Sequence, residues 1–361
     1  MDQNPYKYIA SSADRLLQKM PVEWSPVQDV EPASGWAVAV RALGENDTYG
    51  SLELGNGDVV KVQKGDTFIG VLGDRKASKA YGGRVPASLS TGDVLTLLNL
   101  GGIIGQLESD YEDLREPIPV EILAVATLNG IPLSIRDAAI PMRSSFVQPI
   151  PLIAICGTSM DVGKTTTATR LIAELTGLGY EVYAAKAAGV ACLKDVQAYK
   201  KAGARLALSF LDCGFPSTVG VKNIAPIIKG LYSHMAEEFT FSPRAVGVVE
   251  LGDGLLGHYG GIQFFLDPEI RENLGACVLC ASDWVGVYGA REILKLFGVR
   301  EFIVTGLVAN SAVGSPLVRV PFCNVLKEPE ALANWVVERL SPSPFPAKEV
   351  RVWRSSIEPR S

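Results

Sequence analysis

The residue types best suited to chemistry are concentrated in residues 151–167, PLIAICGTSMDVGKTTT. An apolar run there stops at Gly157, a loop follows, and Gly163-Lys164-Thr165 opens a segment whose apolar residues have helical spacing. A strand, a glycine-containing loop and a helix in this order form a phosphate-binding loop, in which backbone N–H groups and the helix N-terminus surround an anion. We expect Lys164 to reach the β and γ phosphates of a nucleoside triphosphate and the Thr165 hydroxyl to bind Mg²⁺.

The loop departs from the commonest spacing, because five residues rather than four separate its two glycines, and Thr158 stands where the first glycine is expected. A chance glycine-rich turn before a helix is the alternative, but the strand and the helix both stand where a phosphate loop needs them. The predicted cofactor contacts are Gly157, Thr158, Val162, Gly163, Lys164, Thr165 and Thr166. Asp161 is a candidate contact for the metal or the substrate, since an acid beside phosphates needs a cation between them.

Length and composition indicate a globular protein. The 361 residues suffice for two domains, and 47% of them are hydrophobic while 20% are charged. The net charge of −5 gives no basic field for nucleic acid. Residues 1–20 lack the apolar core of a signal peptide, and no uncharged apolar run reaches the ~18 residues of a membrane span. We therefore expect a cytoplasmic protein without a nucleic-acid or membrane partner.

The pattern of the chain changes several times along its length. Residues 1–35 predict a short helix and an extended lead-in, and residues 36–140 hold short β-like runs separated by glycine turns. That spacing favours a small antiparallel barrel or sandwich. A linker is expected at 141–150, an α/β domain at 151–340, and a proline- and serine-rich tail at 341–361. The predicted fold is therefore a doubly wound parallel-sheet α/β domain preceded by a smaller all-β, barrel-like domain.

The α/β region alternates apolar strands with helical segments. Its strands are apolar throughout, as in a parallel sheet that is covered on both faces. Strands are predicted at 152–156, 181–186, 245–251, 275–282 and 301–309, and helices at 163–177, 193–203, 287–297 and 329–339.

Two other features have simple structural interpretations. The basic loop at 73–84 suits a solvated, flexible segment, with contact to an anionic ligand as the alternative. Cys277 and Cys280 form a C-x-x-C, which is compatible with redox chemistry or half of a zinc site. They lie in an apolar run and the chain has only two histidines, so burial as small hydrophobic side chains is favoured.

Further candidate residues stand at predicted strand ends. Lys186 ends the second α/β strand and would face the ligand crevice of a doubly wound sheet, with a solvated strand end as the alternative. Glu250 ends another strand, where a carboxylate beside a phosphate loop would bind Mg²⁺ directly or through water. In the glycine-rich turn that follows, Asp253 suits a turn position. His258 is a general base, a hydrogen-bond donor to substrate, or a structural residue.

Two later loops offer weaker candidates. Ser282 and Asp283 follow an apolar strand, where a helix N-cap is the simpler interpretation than a ligand contact. Asn310 ends the last predicted strand and is a candidate contact for the nucleotide base.

Together these motifs resemble the dethiobiotin synthetase-like branch of phosphate-loop proteins. That family's loop, Gly-Thr-Asp-Thr-x-Val-Gly-Lys-Thr, is similar to residues 157–165, and its Gly-Tyr turn and following lysine resemble Gly179-Tyr180 and Lys186. Its Val-Glu-Gly-x-Gly-Gly-Leu motif is similar to residues 249–255. The resemblance covers roughly 151–340 and implies a doubly wound sheet, ATP and Mg²⁺, phosphorylation of a carboxylate or carbamate, and a homodimer.

The chain also departs from that family. Ser159 replaces the aspartate of the family loop, Asp253 stands in the glycine-rich motif, and the region before residue 140 has no counterpart in the family. A second, partial similarity is to a phosphate-loop family associated with D-glutamate N-acetylation, which has a run like the one from Glu250 to His258.

Three functions are consistent with the sequence. The first is an ATP- and Mg²⁺-dependent enzyme that activates a small carboxylate or carbamate for ligation to an amine, with Lys164, Lys186, Glu250 and His258 as catalytic candidates and Thr165, Glu250 and Asp161 as metal candidates. The second is a regulatory ATPase whose β domain binds a partner protein. The third is a loop that binds another phosphorylated cofactor, such as acetyl-CoA. An Asn-Lys-x-Asp stretch that would read guanine is not evident, and the choice between ATP and GTP stays open.

Overall fold

The computed structural model describes residues 6–340 except 78, 111, 312 and 315–317, so the predicted tail at 341–361 lies outside the described residues. Short strands dominate the described chain up to residue 140, which we call the β region. One helix in this region, α1, runs from Ser11 to Lys19. The strands are β1 Tyr8–Ile9, β2 Glu23–Ser25, β3 Ala37–Ala42, β4 Ser51–Glu53, β5 Val59–Lys61, β6 Thr67–Leu72, β7 Gly82–Arg84, β8 Val94–Leu97, β9 Ile103–Ser109, β10 Pro119–Leu128 and β11 Ile131–Pro132.

Five strands of the β region form a closed circuit. Strand β6 pairs with β3, β3 with β10, β10 with β8, and β8 with β9, each time antiparallel. The circuit closes through a parallel pairing of β6 with β9. A purely antiparallel arrangement was expected, and the difference arises because the long segment between β6 and β9 returns the chain in the same direction. Apolar side chains such as Val38, Phe68 and Ile122 fill the interior.

The basic loop at 73–84 is only partly solvated, because Lys79 and Arg84 are exposed but Arg75 is buried. Arg75 is only 5% exposed, and its guanidinium donates hydrogen bonds to the carbonyl of Leu98 and, at 2.8 Å, to the hydroxyl of Tyr49. The end of the loop forms β7, which pairs with β9. The expectation of a solvated loop is therefore wrong for Arg75, which anchors the segment inside the β region, whereas Lys79 and Arg84 are exposed as expected.

The second half of the chain contains a parallel sheet. Its strands are β12 Leu152–Gly157, β13 Glu181–Lys186, β14 Leu206–Ser209, β15 Ala245–Glu250, β16 Leu274–Cys280 and β17 Ile303–Thr305. They lie side by side in the order β14-β13-β15-β12-β16-β17, and all pairings are parallel. The helices are α2 Lys164–Gly177, α3 Lys194–Lys201, α4 Ala225–Glu238, α5 Pro268–Glu272, α6 Trp284–Leu296 and α7 Pro329–Val337.

Both faces of this sheet are covered by apolar side chains. Alternate residues of β12 enter different clusters, because successive side chains of a strand point to opposite faces. Ile153 and Ile155 pack with residues of α2, α3 and α7, while Leu152 and Ala154 pack with residues of α4 and α6. With the strand-rich first part, the described chain is a mixed α/β protein, in agreement with the predicted class.

Some elements differ from their predicted bounds. The strand expected at 301–309 ends at Thr305, because Gly306 adopts a φ of 89° and a short 3₁₀ helix, Leu307–Asn310, follows. Strand β14 and helices α4 and α5 were not predicted. Helix α4 is buried on nearly all sides, so it lacks the one-sided apolar pattern that identifies a surface helix.

Contacts distant in sequence connect the β region with the sheet. In α1, the guanidinium of Arg15 donates to the carbonyl of Ala138 at 2.8 Å and lies 3.4 Å from the carboxylate of Asp212. The segment at 141–150 lies against α4, where Lys229 donates to the Ser144 carbonyl at 3.0 Å. None of the helices in the described ranges is long and apolar enough to cross a membrane.

Candidate functional site

The loop of residues 158–163 connects the central strand β12 to helix α2. Strand β12 lies between β15 and β16, so the loop emerges beside the ends of both neighbours. The N–H of Thr158 donates to the carbonyl of Cys280 at 3.0 Å, and the carbonyl of Gly157 accepts from the N–H of Leu255 at 2.9 Å. Gly163 has a φ of 96°, the left-handed conformation that turns the loop into α2. The strand–loop–helix arrangement predicted from the sequence is therefore present.

Close packing fixes the shape of this loop. A Cβ atom at residue 254, in the turn after β15, would lie 2.5 Å from the carbonyl oxygen of Thr158. A Cβ atom on Gly306, after β17, would overlap the carbonyl oxygen of Val162. Val162 itself is 1% exposed. The turns that follow two other strands thus hold the loop from both sides, and only glycine fits at these contacts.

Lys164 opens α2 with a nearly buried side chain. It is 7% exposed, and its ammonium group donates to the carbonyl of Ser159 at 2.7 Å, across the loop. Burial lowers the pKa of Lys164 below its ordinary value, and the carboxylate of Glu250 acts in the opposite direction. The ammonium group therefore lies at the mouth of the loop, in a place where an anion would relieve the cost of burying its charge.

Thr165 lies between two carboxylates. Its hydroxyl is 3.1 Å from Oε1 of Glu250, at the end of β15, and 3.3 Å from Oδ1 of Asp195, in the first turn of α3. Glu250 is 2% exposed and Asp195 is 4% exposed. Three oxygen donors of the type that Mg²⁺ prefers thus meet next to the loop.

Lys186 forms an ion pair with the same carboxylates. Its ammonium group contacts Oδ2 of Asp195 directly and lies 3.7 Å from Oε1 of Glu250. Burial alone would lower the pKa of Lys186, but the two carboxylates outweigh it and raise the pKa above its ordinary value. Burial would likewise raise the pKa of Asp195, but Lys186 outweighs it and lowers the pKa. Lys186, Asp195 and Glu250 therefore form one compact cluster of opposite charges.

Lys186 reaches the site from a strand that is not adjacent to the loop strand. Its strand, β13, is not next to the loop strand β12, because β15 lies between them. In the register of the sheet Lys186 stands beside Glu250, and Glu250 beside Ile155 of β12. The carboxyl ends of these strands meet at one edge, which brings the lysine within reach of the site.

Tyr199 completes the cluster from α3. Its hydroxyl, buried in the core, donates a hydrogen bond to Oε2 of Glu250. Burial and the charge of Glu250 raise the pKa of Tyr199 well above its ordinary value, so it remains a donor. Asp195 and Tyr199 are four residues apart, which places them on one face of α3.

Most of the remaining candidates are exposed. His258 is exposed and makes no hydrogen bond or ion pair within the described part of the chain, and Asp161 and Thr166 are also exposed. Asn310 is exposed, and its side chain is 3.4 Å from the amide of Asn324. Thr158 differs from these residues, because its hydroxyl oxygen is buried and has no hydrogen-bond partner in the described residues.

Several residues have structural roles that the sequence indicated. Asp283 caps α6, where its carboxylate accepts from the N–H of Gly286 at 2.8 Å. Asp253 has a φ of 63°, a turn conformation that Asp tolerates. Cys277 and Cys280 are free and buried in β16, and Sγ of Cys277 is 4.0 Å from Sγ of Cys156. Among the described residues no group of three or more His, Cys, Asp and Glu side chains is placed to hold a metal ion.

Asp195 and Tyr199 were not predicted from the sequence. The available signal was weak, since both stand in a helix that was predicted at 193–203 but whose orientation was unknown. Only the packing of α3 against β13 and β14 brings them to Lys186 and Glu250.

Comparison with known proteins gives little further information. No protein-family model matches the chain, and no curated protein sequence matches it. Among solved structures, chloroplast FtsY from Physcomitrella patens is 19% identical with a TM-score of 0.31, over 47% of this chain and 54% of that one. The chain thus spans about half the length of that structure, and at this TM-score a common fold is not defined. The function is therefore inferred from the site itself.

Proposed function

We propose that the chain binds ATP and Mg²⁺ and phosphorylates a small carboxylate or carbamate, which activates it for ligation to an amine. One observation carries this proposal. The side chains of Thr165, Asp195 and Glu250 meet near two lysines, next to a loop that is packed against two glycines. A strand–loop–helix unit supplies backbone N–H groups and a helix N-terminus for phosphates. Resemblance of the loop to dethiobiotin synthetase-like proteins supports ATP as the nucleotide and an acyl or carbamoyl oxygen as the acceptor.

The residues present fit Mg²⁺ and a phosphate. Mg²⁺ takes hard oxygen ligands and is usually held by one or two carboxylates together with substrate phosphates. The Thr165 hydroxyl and the carboxylates of Asp195 and Glu250 are such donors, and Tyr199 orients Glu250 by a hydrogen bond. The buried hydroxyl of Thr158 lacks a partner and lies in the loop, where a phosphate oxygen would satisfy it. Bound Mg²⁺ would neutralise phosphate charge.

The two lysines have different roles in this proposal. Lys164 would hold the terminal phosphates, exchanging the Ser159 carbonyl for a phosphate oxygen. Lys186, paired with both carboxylates, would stabilise the negative charge that develops on the transferred phosphoryl group or on the acceptor. In both cases the ammonium group is fixed before the ligand arrives, which reduces the reorganisation that binding requires.

Calorimetry with a non-hydrolysable ATP analogue tests the binding step. We expect Mg²⁺-dependent binding to the wild-type protein and its loss in Lys164→Ala. Lys64→Ala, a change of the same type at an exposed residue of the β region, should bind as the wild type does. Binding that Lys164→Ala leaves intact would contradict the proposed loop function.

A screen of ADP release tests the reaction. Small carboxylates and amines, added with bicarbonate as a source of carbamate, should stimulate ADP release in the wild type and not in Lys164→Ala. Stimulation by none of them would reject the ligase proposal while leaving nucleotide binding standing. Light scattering on the same sample tests the homodimer that the resemblance implies.

A regulatory ATPase is a second candidate, and contacts between the β region and the site favour it. The backbone of Lys76 and the hydroxyl of Tyr259 exchange hydrogen bonds of 3.1 and 2.7 Å, and Tyr259 lies in the turn that follows Glu250. A change at the nucleotide site could in this way reach the surface that a partner protein binds. Hydrolysis that small acids do not affect, but that an added partner accelerates, would support this candidate over the ligase.

A further inference from the structure

Helix α3, which brings Asp195 and Tyr199 to the site, begins without a cap of its own. The residue before the helix is Leu193, whose apolar side chain accepts no hydrogen bond. Such residues are among the poorest at this position. The start of α3 therefore depends on groups outside the helix.

A buried carboxylate of the β region instead binds the backbone of Leu193, the residue immediately before the helix. Glu53, the last residue of β4, is 1% exposed, and its Oε2 accepts from the N–H of Leu193 at 2.6 Å. The same carboxylate accepts from the hydroxyl of Ser11 at 2.7 Å and from Sγ of Cys192 at 3.4 Å. A negative charge at this end of a helix also interacts favourably with the helix dipole.

Neighbouring contacts hold the same segment in place. The side-chain amide of Asn99 donates to the carbonyl of Ala191 at 2.7 Å. A Cβ atom at Gly57, in the turn between β4 and β5, would overlap the side chain of Gln197 on α3. The β region thus contacts α3 and the residues that precede it at several points. Among these contacts Glu53 is the one with a negatively charged side chain.

We propose that Glu53 is a positioning residue of the Mg²⁺–nucleotide site. It fixes the start of α3, and with it the carboxylate of Asp195 next to Thr165 and the hydroxyl of Tyr199 on Glu250. The Mg²⁺–nucleotide part of this inference rests on the proposed function. Because coupling between two sites is reciprocal, binding of Mg²⁺–nucleotide also strengthens the contact between the β region and α3.

Glu53→Gln provides a mild test, since glutamine keeps the size of the side chain and one oxygen acceptor but removes the charge. Glu121→Gln is the matched control, because Glu121 lies on β10 and forms an exposed ion pair with Arg41 at 3.1 Å. Thermal unfolding of each full-length variant establishes that it is folded before the other measurements.

The first measurement needs no ligand. Hydrogen exchange of the α3 amides should be at least tenfold faster in Glu53→Gln than in the wild type, and unchanged in Glu121→Gln. Equal exchange in the two variants would overturn the inference. This measurement does not depend on the proposed function, so it decides the structural part even if the wild-type protein binds no nucleotide.

The second measurement separates the metal contribution from the phosphate contribution. For each variant, the Kd of the ATP analogue in EDTA is divided by its Kd in Mg²⁺. We expect this ratio to fall about tenfold in Glu53→Gln, which corresponds to a loss of about 1.4 kcal/mol in the Mg²⁺ contribution to binding. The Kd in EDTA should stay constant, because the loop and Lys164 remain in place. An unchanged ratio together with faster exchange would overturn the coupling to the site. A wild-type protein that binds no nucleotide would instead refute the proposed function.

Discussion

Removal of Lys186 should destabilise the protein strongly, because two buried carboxylates would lose their counter-charge. The side chain of Lys186 is 15% exposed, and those of Asp195 and Glu250 are 6% and 2% exposed, so solvent screens these charges little. At 3.7 Å and an effective dielectric constant of about 20, the attraction between Lys186 and Glu250 is about 4 kcal/mol. Removing one partner of a buried ion pair typically costs about 3–5 kcal/mol. We expect Lys186→Met to lower the free energy of unfolding by a similar amount.

Urea unfolding at pH 7 measures this loss. Lys76→Met serves as the control, since Lys76 and Glu108 form an ion pair on the surface with side chains 43% and 30% exposed, and such pairs contribute about 1 kcal/mol or less. The double variant Lys186→Met/Asp195→Asn should lose less than the sum of the two single losses, because it leaves one uncompensated carboxylate fewer. Losses that are additive, or a Lys186→Met loss no larger than that of Lys76→Met, would refute the reasoning.

Three further predictions concern the proposed metal ligands, the pH dependence of stability and the glycine contacts of the loop. Thr165→Ala should weaken Mg²⁺-dependent nucleotide binding at least tenfold by calorimetry, and Thr165→Ser, which keeps the hydroxyl, should restore it. The pKa of Asp195 lies below its ordinary value of 3.8, so its stabilising contribution is present above that pH and lost as the pH falls through the folded-state pKa. The difference in unfolding free energy between the wild type and Asp195→Asn should therefore be constant from pH 7 to about 5 and shrink below about 4; a difference that grows on acidification would contradict this sign. Gly306→Ala should lower the melting temperature and cost about 2 kcal/mol or more, because of its φ of 89° and its contact with the loop backbone, whereas Gly289→Ala, in α6 with open space around it, should be neutral or stabilising.

Local sequence patterns were sufficient to predict the strand and the helix on either side of the loop. The apolar run of β12, the glycine that ends it and the helical spacing after Lys164 are contained within residues 151–177, so no distant contact was needed to predict them. The same holds for Glu250, which stands at the end of an unambiguous strand.

Residues whose roles depend on packing between distant elements were not predictable. Asp195 looked like an ordinary acidic residue in the first turn of a helix, and its contact with Lys186 follows from how α3 packs against the sheet. Arg75 looked solvated because arginine usually is, whereas its acceptors, the Leu98 carbonyl and the Tyr49 hydroxyl, come from other parts of the β region. The order of the strands likewise depends on pairings that local patterns do not encode.

The contact of α1 with Asp212 has a consequence for synthesis on the ribosome. Arg15 and Asp212 are separated by 197 residues. At about 5–20 residues per second, translation needs roughly 10–40 s to produce the second partner after the first. Arg15 therefore leaves the ribosome long before this partner exists, and the time for which it lacks Asp212 is set by the rate of translation. Until then α1 can contact only the β region, where the Ala138 carbonyl accepts from Arg15.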